Sequence, residues 1–233
     1  MSAPVPTWID DLPSDRLVGE FSMWSADLVR LADDLARIGP HADVLHIDVA
    51  DGHFAPAMLF FPDLVAAVRR ISSVPIHVHL MVADDILLAQ IAQFIEAGSD
   101  LISIHAENEA VADQAFDMLD ARGTAAGMVL KVETPISQAT RHLPRLRFLT
   151  LLGTAIGVKG QGLDPQAADR LREAKRLIWS SGAASRIVLA ADGGIRESTV
   201  PVLREAGAET VVLGSLAFGA PDLAARIAWL HGL

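Results

Sequence analysis

Cysteine is absent from the 233-residue chain. That excludes disulfides, a thiolate nucleophile and a cysteine-ligated zinc. A basic surplus is absent too: 19 Lys and Arg stand against 29 Asp and Glu, a formal net charge of −10. Acidity favours solubility and argues against nucleic-acid or lipid-surface partners. No apolar run reaches the ~18 residues of a membrane helix. Residues 1–11 lack the basic and apolar regions of a secretory signal, so a soluble cytoplasmic protein is expected. The four Trp are scattered and form no stacking stripe. No Pro/Gly/Ser linker or low-complexity tract divides the chain. One domain over residues 1–233 is expected, with residues 1–20 an acidic N-terminal extension holding one short helix.

What is present centres on residues 45–54, Leu-His-Ile-Asp-Val-Ala-Asp-Gly-His-Phe. Val44, Leu45, Ile47 and Val49 read as a buried strand. Strand side chains alternate between faces, so His46 and Asp48 point the same way. An imidazole and a carboxylate buried together are costly unless paired or bound to a metal. Asp51-Gly52 then starts a loop.

The rest of the chain alternates strand and helix. Strands are expected at 21–24, 44–49, 76–82, 101–105, 126–132, 148–153, 187–191 and 210–213. Helices are expected from Asp27 as a cap through Leu28, Leu31, Leu35 and Ile38, then at 62–71, 86–97, 110–121, 137–143, 165–179, 198–205 and 221–230. Eight such pairs in about this length predict an α/β fold, a single-domain (β/α)8 TIM barrel. The rival, an open doubly wound sheet, usually has a Gly-rich turn after its first strand. Trp24-Ser25-Ala26-Asp27 is no such turn.

The strand ends carry the candidate chemistry. His46 and Asp48 on the second strand, His79 on the third and Asp192 on the seventh all lie towards C-terminal ends. A single buried His is more commonly a satisfied core residue. Two imidazoles and two carboxylates at one end of a barrel instead suit one divalent metal ion: zinc, iron(II), manganese or cobalt. Asp48 and Asp192 beside a Lewis acid also suit proton transfer at carbon. Asp192-Gly193-Gly194 and Gly214-Ser215 end the closing strands, where many barrels hold a phosphate. The loop Gly157–Gly162 reads as a lid. His77 reads as core, His53 as structural and Met81 as pocket floor. His105 and Lys131 are candidates to face the cavity.

The motif Leu45–Phe54 resembles the signature of the ribulose-phosphate 3-epimerases. So do His79-Leu80-Met81-Val82, Ser22-Met23-Trp24-Ser25-Ala26-Asp27, Asp192-Gly193-Gly194-Ile195 and Gly214-Ser215. The resemblance runs in order over residues 20–220. It implies a ribulose-phosphate-binding type of barrel and a metal-dependent epimerase converting D-ribulose 5-phosphate to D-xylulose 5-phosphate through an enediolate. It also implies the metal ligands His46, Asp48, His79 and Asp192, with Asp48 and Asp192 as the acid/base pair. Ser22, Met81, Gly160, Gly193, Gly194, Gly214 and Ser215 are the implied substrate contacts, and a homo-oligomer is the implied assembly. The sequence departs from the family at Ala50 and Leu152, where pocket Met residues are usual, at Ile156–Gln161 in the lid, and at Lys131-Val132-Glu133. Lys131 and Lys159 add positive charge there. The altered lid keeps one alternative open, a related epimerase or isomerase for allulose 6-phosphate or a tetrulose phosphate; a second, a non-catalytic phosphosugar-binding barrel, is opposed by the intact four-ligand set.

Overall fold

Eight parallel strands pair in chain order and close: β1 (Val18–Ser22), β2 (Val44–Ala50), β3 (Ile76–Met81), β4 (Leu101–His105), β5 (Ala125–Leu130), β6 (Phe148–Leu152), β7 (Val188–Asp192) and β8 (Thr210–Leu213), with β8 paired back to β1. The computed structural model describes residues 7–183 and 185–233. The helices are α1 (Leu31–Ile38), α2 (Pro62–Ile71), α3 (Asp84–Glu96), α4 (Ala112–Arg122), α5 (Ala167–Ser181), α6 (Val200–Ala206), α7 (Ser215–Phe218) and α8 (Leu223–His231). The expected barrel is the observed fold.

Each strand serves two faces. Ile47 and Val49 on β2, Val78 and Leu80 on β3, and Ile102 and Ile104 on β4 join one apolar cluster with Val65 and Val68 of α2 and Leu87, Ile91 and Phe94 of α3. Each such fully buried side chain stabilises the fold by about 1.5–3 kcal/mol. The other face points into the barrel and is layered. At the N-terminal end Leu101, Ala125, Phe148 and Val188, each the first residue of its strand, pack with Ala190 and with Ile9 from the lead-in. Ile9 thereby plugs the barrel floor. Arg147 Nη2 donates to Asp10 Oδ1 at 2.6 Å and Arg186 Nη1 to Leu12 O at 2.7 Å, which holds the plug in place. Above the plug lies a buried polar layer: Glu20, His77, Ser103, Thr150 and Thr210. The uppermost inward residues, Ser22, Asp48, His79, Leu152 and Asp192, line a pocket at the C-terminal mouth.

Several expected boundaries shift, each for a local reason. β1 begins at Val18 and ends at Ser22, because Val18 is needed to pair with Thr210 of β8. Met23–Ser25 is a 3-10 turn, so the expected strand at 21–24 is displaced towards the N-terminus. The lead-in therefore stops short of residue 20; residues 1–6 lie outside the described residues. Its described part forms turns in place of the expected helix, with Asp10 N–H donating to Thr7 O at 2.8 Å. Asp27 does not cap α1. Its Oδ1 accepts from Val29 N–H at 3.0 Å in a local turn, the helix starts at Leu31, and Leu28 is 53% exposed. The helix expected at 137–143 is a 3-10 stretch, Ile136–Arg145, containing Pro144, whose missing N–H interrupts the α-helical ladder. β5 ends at Leu130, which leaves Lys131 outside the strand.

Candidate active site

Strand register assembles the site. Asp48 of β2 lies opposite His79 of β3, and Ser22 of β1 opposite His46 of β2. Asp192 is the last residue of β7. One oxygen of Asp48, Oδ1, lies 3.3 Å from His46 Nε2 and 3.3 Å from His79 Nδ1. His79 Nδ1 is 3.8 Å from Asp192 Oδ2. One ligand atom from each of His46, Asp48, His79 and Asp192 lies within 4.8 Å of all the others. The second oxygen of Asp48 accepts a hydrogen bond from Ser22 Oγ at 2.8 Å.

These four residues fit a divalent cation. Ligands about 2.0–2.1 Å from a tetrahedral ion sit about 3.3 Å from one another, which is the spacing Asp48 Oδ1 keeps from both rings. His46 Nε2 is buried and has no hydrogen-bond partner, although buried ring nitrogens are normally satisfied. The other nitrogen of each ring is held from behind. His46 Nδ1 lies 2.9 Å from Glu20 Oε2. His79 Nε2 lies 2.8 Å from His105 Nε2, and His105 Nδ1 lies 3.1 Å from Glu107 Oε2. Thr134 Oγ1 donates to the other oxygen of Glu107. With Glu107 ionised, His105 donates from Nδ1 and accepts at Nε2. His79 then carries its proton on Nε2 and turns the Nδ1 lone pair towards Asp48 and Asp192.

The two carboxyls differ in environment. Burial raises both, but the adjoining His46 and His79 outweigh it at Asp48 and hold that group well below its ordinary value. Asp192 is pushed up to about 6 by burial; Asp48 adds to the rise, and His46 and His79 oppose it. Two titratable groups driven apart in this way are suited to serve as acid and base. Burial pushes His46 down, yet Asp48 and Glu20 raise it well above its ordinary value. Ligation needs a neutral ring, so a cation would take the place of the proton on Nε2.

The pocket above these residues has a volume of about 330 Å³. Its rim comes from Gly193, Gly194, Gly214 and Ser215 and from the loop after β6, including Gly157, Lys159, Gly160 and Gln161. Asp164 N–H donates to Gly153 O at 2.8 Å and closes the base of that loop. Lys159 reaches across the mouth: its amine donates to Trp24 O and sits 4.6 Å from the Trp24 ring centroid. Gly193 and Gly194 have φ of +87° and +70°, a region that a side chain disfavours.

The comparisons with known proteins bear on this geometry. Residues 19–218 match the profile of the ribulose-phosphate 3 epimerase family. The chain belongs to this family. It is 36% identical over 204 residues to ribulose-phosphate 3-epimerase 2 of Cupriavidus necator, covering 86% of this chain and 84% of that protein. It is 32% identical over 212 residues to ribulose-phosphate 3-epimerase of Bacillus subtilis, covering 91% and 96%. Among solved structures it resembles 3-keto-L-gulonate-6-phosphate decarboxylase from Vibrio cholerae, with a TM-score of 0.68, 13% identity and coverage of 92% and 99%. That last likeness concerns the fold alone.

Within this epimerase-family barrel, the expected residues divide clearly. His46, Asp48, His79 and Asp192 converge, and Ser22, Met81, Gly160, Gly193, Gly194, Gly214 and Ser215 border the same pocket or its floor. His77 is buried core, as expected, and His53 is exposed in its loop. Two candidates do not reach the cavity. His105 is fully buried behind His79, and the Lys131 amine lies over the Phe54 ring, 4.0 Å from its centroid. Lys159 does line the pocket, and so do Trp24, Thr154 and Arg196, which sequence reasoning did not single out. Glu20 and Glu107 were missed as well. For Glu20 a signal existed: an acid inside the apolar run Leu17–Phe21. For Glu107, which follows its strand, there was none. No helix among the described residues is long and apolar enough to cross a membrane.

Proposed function

We propose that the chain is a cation-dependent 3-epimerase of a ketose phosphate, interconverting D-ribulose 5-phosphate and D-xylulose 5-phosphate. The carrying observation is the pair of carboxyls in unlike environments, Asp48 and Asp192, meeting two imidazoles on the pocket floor. In this reading His46, Asp48, His79 and Asp192 hold one zinc, iron(II), manganese or cobalt ion. When bound, the ion supplies Lewis acidity to the substrate carbonyl. Asp48, kept ionised, takes the proton from carbon 3 of one epimer; Asp192 delivers a proton to the resulting enediolate, and the roles reverse in the other direction. Ser22 Oγ–H fixes the Asp48 carboxylate by its bond to Oδ2. Met81 packs the pocket floor. The lid loop over the mouth excludes water from the enediolate. The net charge of −10 supports a small-molecule substrate over nucleic acid.

Gly193, Gly194, Gly214 and Ser215 are assigned to the phosphate, where glycine lets backbone N–H groups approach an anion. A Cβ on Gly194 would lie 2.8 Å from Leu163 Cα, and its φ of +70° adds strain. Gly194→Ala is therefore expected to raise KM for the sugar phosphate at least tenfold, with a smaller fall in kcat, in steady-state assays. An unchanged KM removes this turn from the phosphate site.

The deciding experiment follows solvent deuterium into carbon 3 of D-ribulose 5-phosphate by NMR, with xylulose 5-phosphate quantified alongside. Cation-dependent exchange with inversion is the expected result. One observation favours a second substrate within the same chemistry: Lys159 lies at the pocket mouth against Trp24. If the cation-loaded protein exchanges nothing at carbon 3 of ribulose 5-phosphate, allulose 6-phosphate and a tetrulose phosphate are the next substrates to assay. Binding of all three without exchange would instead identify a non-catalytic phosphosugar barrel.

A further inference from the structure

Beneath the candidate cation site lies a second cluster that shares His46 with it and adds two residues the chemistry above does not use: Glu20, His46 and His77, all fully buried. One oxygen of Glu20, Oε2, lies 2.9 Å from His46 Nδ1 and 2.6 Å from His77 Nδ1. The other, Oε1, accepts from Thr210 Oγ at 3.2 Å. A carboxylate only accepts, so both imidazoles present N–H groups to it. His77 is then left with a bare Nε2, and Ser103 Oγ lies 2.7 Å away to donate to it. Each polar atom of this group has a partner except one, His46 Nε2, which faces the cation site. The belt runs through β1, β2, β3, β4 and β8, so it ties five of the eight strands together directly below that site. Gly127 is part of the fit: a Cβ there would overlap Ser103 Oγ.

An ionised carboxyl with no solvent contact is costly unless its bonds compensate. The bonds from His46, His77 and Thr210 to its two oxygens are what compensate Glu20, and the ligand ring supplies one of them.

We propose that Glu20 is a positioning residue for the cation site: it fixes the His46 ring as the Nδ1–H tautomer and aims the Nε2 lone pair at the cation, while His77, Ser103 and Thr210 fix Glu20. This rests on the proposed cation site. It adds an anchor that none of the four ligands supplies. Outer partners of metal-bound imidazoles commonly set affinity by about 10–100-fold. The positional sense is specific. Loss of Glu20 frees the ring to rotate or change tautomer, whereas an amide oxygen can still accept both N–H bonds.

The test uses the full chain loaded with zinc, a diamagnetic probe. Zinc affinity is measured by competition with a chromogenic chelator for wild type, Glu20→Ala and Glu20→Gln, with zinc per chain counted after dialysis. Expected results are one zinc per wild-type chain, affinity about 10–100-fold weaker in Glu20→Ala, and most of the affinity retained in Glu20→Gln. In parallel, two-bond ¹⁵N–¹H spectra of wild type assign the His46 tautomer. They should show Nδ1 protonated and Nε2 shifted by zinc, a readout that stands even if Glu20→Ala does not fold. Wild-type affinity in folded Glu20→Ala overturns the assignment, and so does a His46 ring ligating through Nδ1. Two zinc ions per chain, with one lost in Glu20→Ala, would make Glu20 a ligand instead. A wild-type chain that binds no zinc overturns the cation site itself, and this role with it.

Discussion

Asp192→Asn is expected to leave the barrel folded and the cation bound, and to lower epimerisation by about 10²–10⁴-fold, the usual contribution of a positioned acid or base. The amide matches the carboxyl in shape and keeps an oxygen facing His79, but it cannot carry a proton. Asp192 ends β7 at the pocket floor, and its neighbours Gly193 and Gly194 set the turn, so the substitution leaves the turn glycines in place. The informative readout is the split between exchange and inversion. With Asp48 intact, one epimer still presents its carbon 3 hydrogen to a base. Deuterium can then enter that epimer, while delivery from the other carboxyl is gone. Exchange into one epimer should outlast inversion. Asp48→Asn should show the complementary preference, with a further loss because Asp48 Oδ1 also meets both imidazoles. Near wild-type inversion in Asp192→Asn would refute the two-carboxyl assignment.

Much of the site was legible from sequence because of strand parity, and the part that was not depends on lateral packing. Period-two alternation is strict in a strand, so His46 and Asp48 had to share a face, as did His77 and His79. Once the chain reads as a closed parallel barrel, inward residues near the strand ends converge on one mouth. Depth was also legible: His77 sits below His79 and does not reach the pocket. Sequence could not give the lateral pairing inside the barrel. Glu20 meets His46 and His77 only because β1, β2 and β3 are neighbours in register, and Thr210 joins from β8 through barrel closure. His105 illustrates the same gap. Its place at the end of β4 made it a candidate to face the cavity, but its neighbour His79 stands between it and the pocket, and Glu107 holds it there. Lys131 was misplaced by one boundary. With β5 ending at Leu130, its side chain leaves the barrel face and lies on Phe54. The 3-10 stretch after β5 shows the limit of periodicity, since spacing alone does not weigh the break that Pro144 imposes.

Removal of the cation is expected to abolish turnover and lower thermal stability without unfolding the barrel. The loss of turnover follows from the chemistry. A proton on carbon 3 of a ketose is weakly acidic until the adjoining carbonyl oxygen can take negative charge, which a bound cation would stabilise. The stability loss follows from linkage. A ligand held at about 100 times its Kd stabilises the folded state by about 2.7 kcal/mol. For a chain of this size about 1 kcal/mol moves Tm by about 2–4 °C, so a chelator should lower Tm by about 5–11 °C. Persistence of the fold follows from bonding that needs no cation. Ser22 still holds Asp48 and Glu20 still holds His46 and His77, and the apolar plug and outer cluster are remote from the site. Far-ultraviolet circular dichroism should therefore be unchanged at 25 °C while activity is lost, and added zinc or manganese should restore both activity and Tm. Full turnover in exhaustively chelated protein, with no cation found by elemental analysis, would leave His46, Asp48, His79 and Asp192 as a hydrogen-bonded cluster and shift stabilisation of the enediolate charge to the side chains.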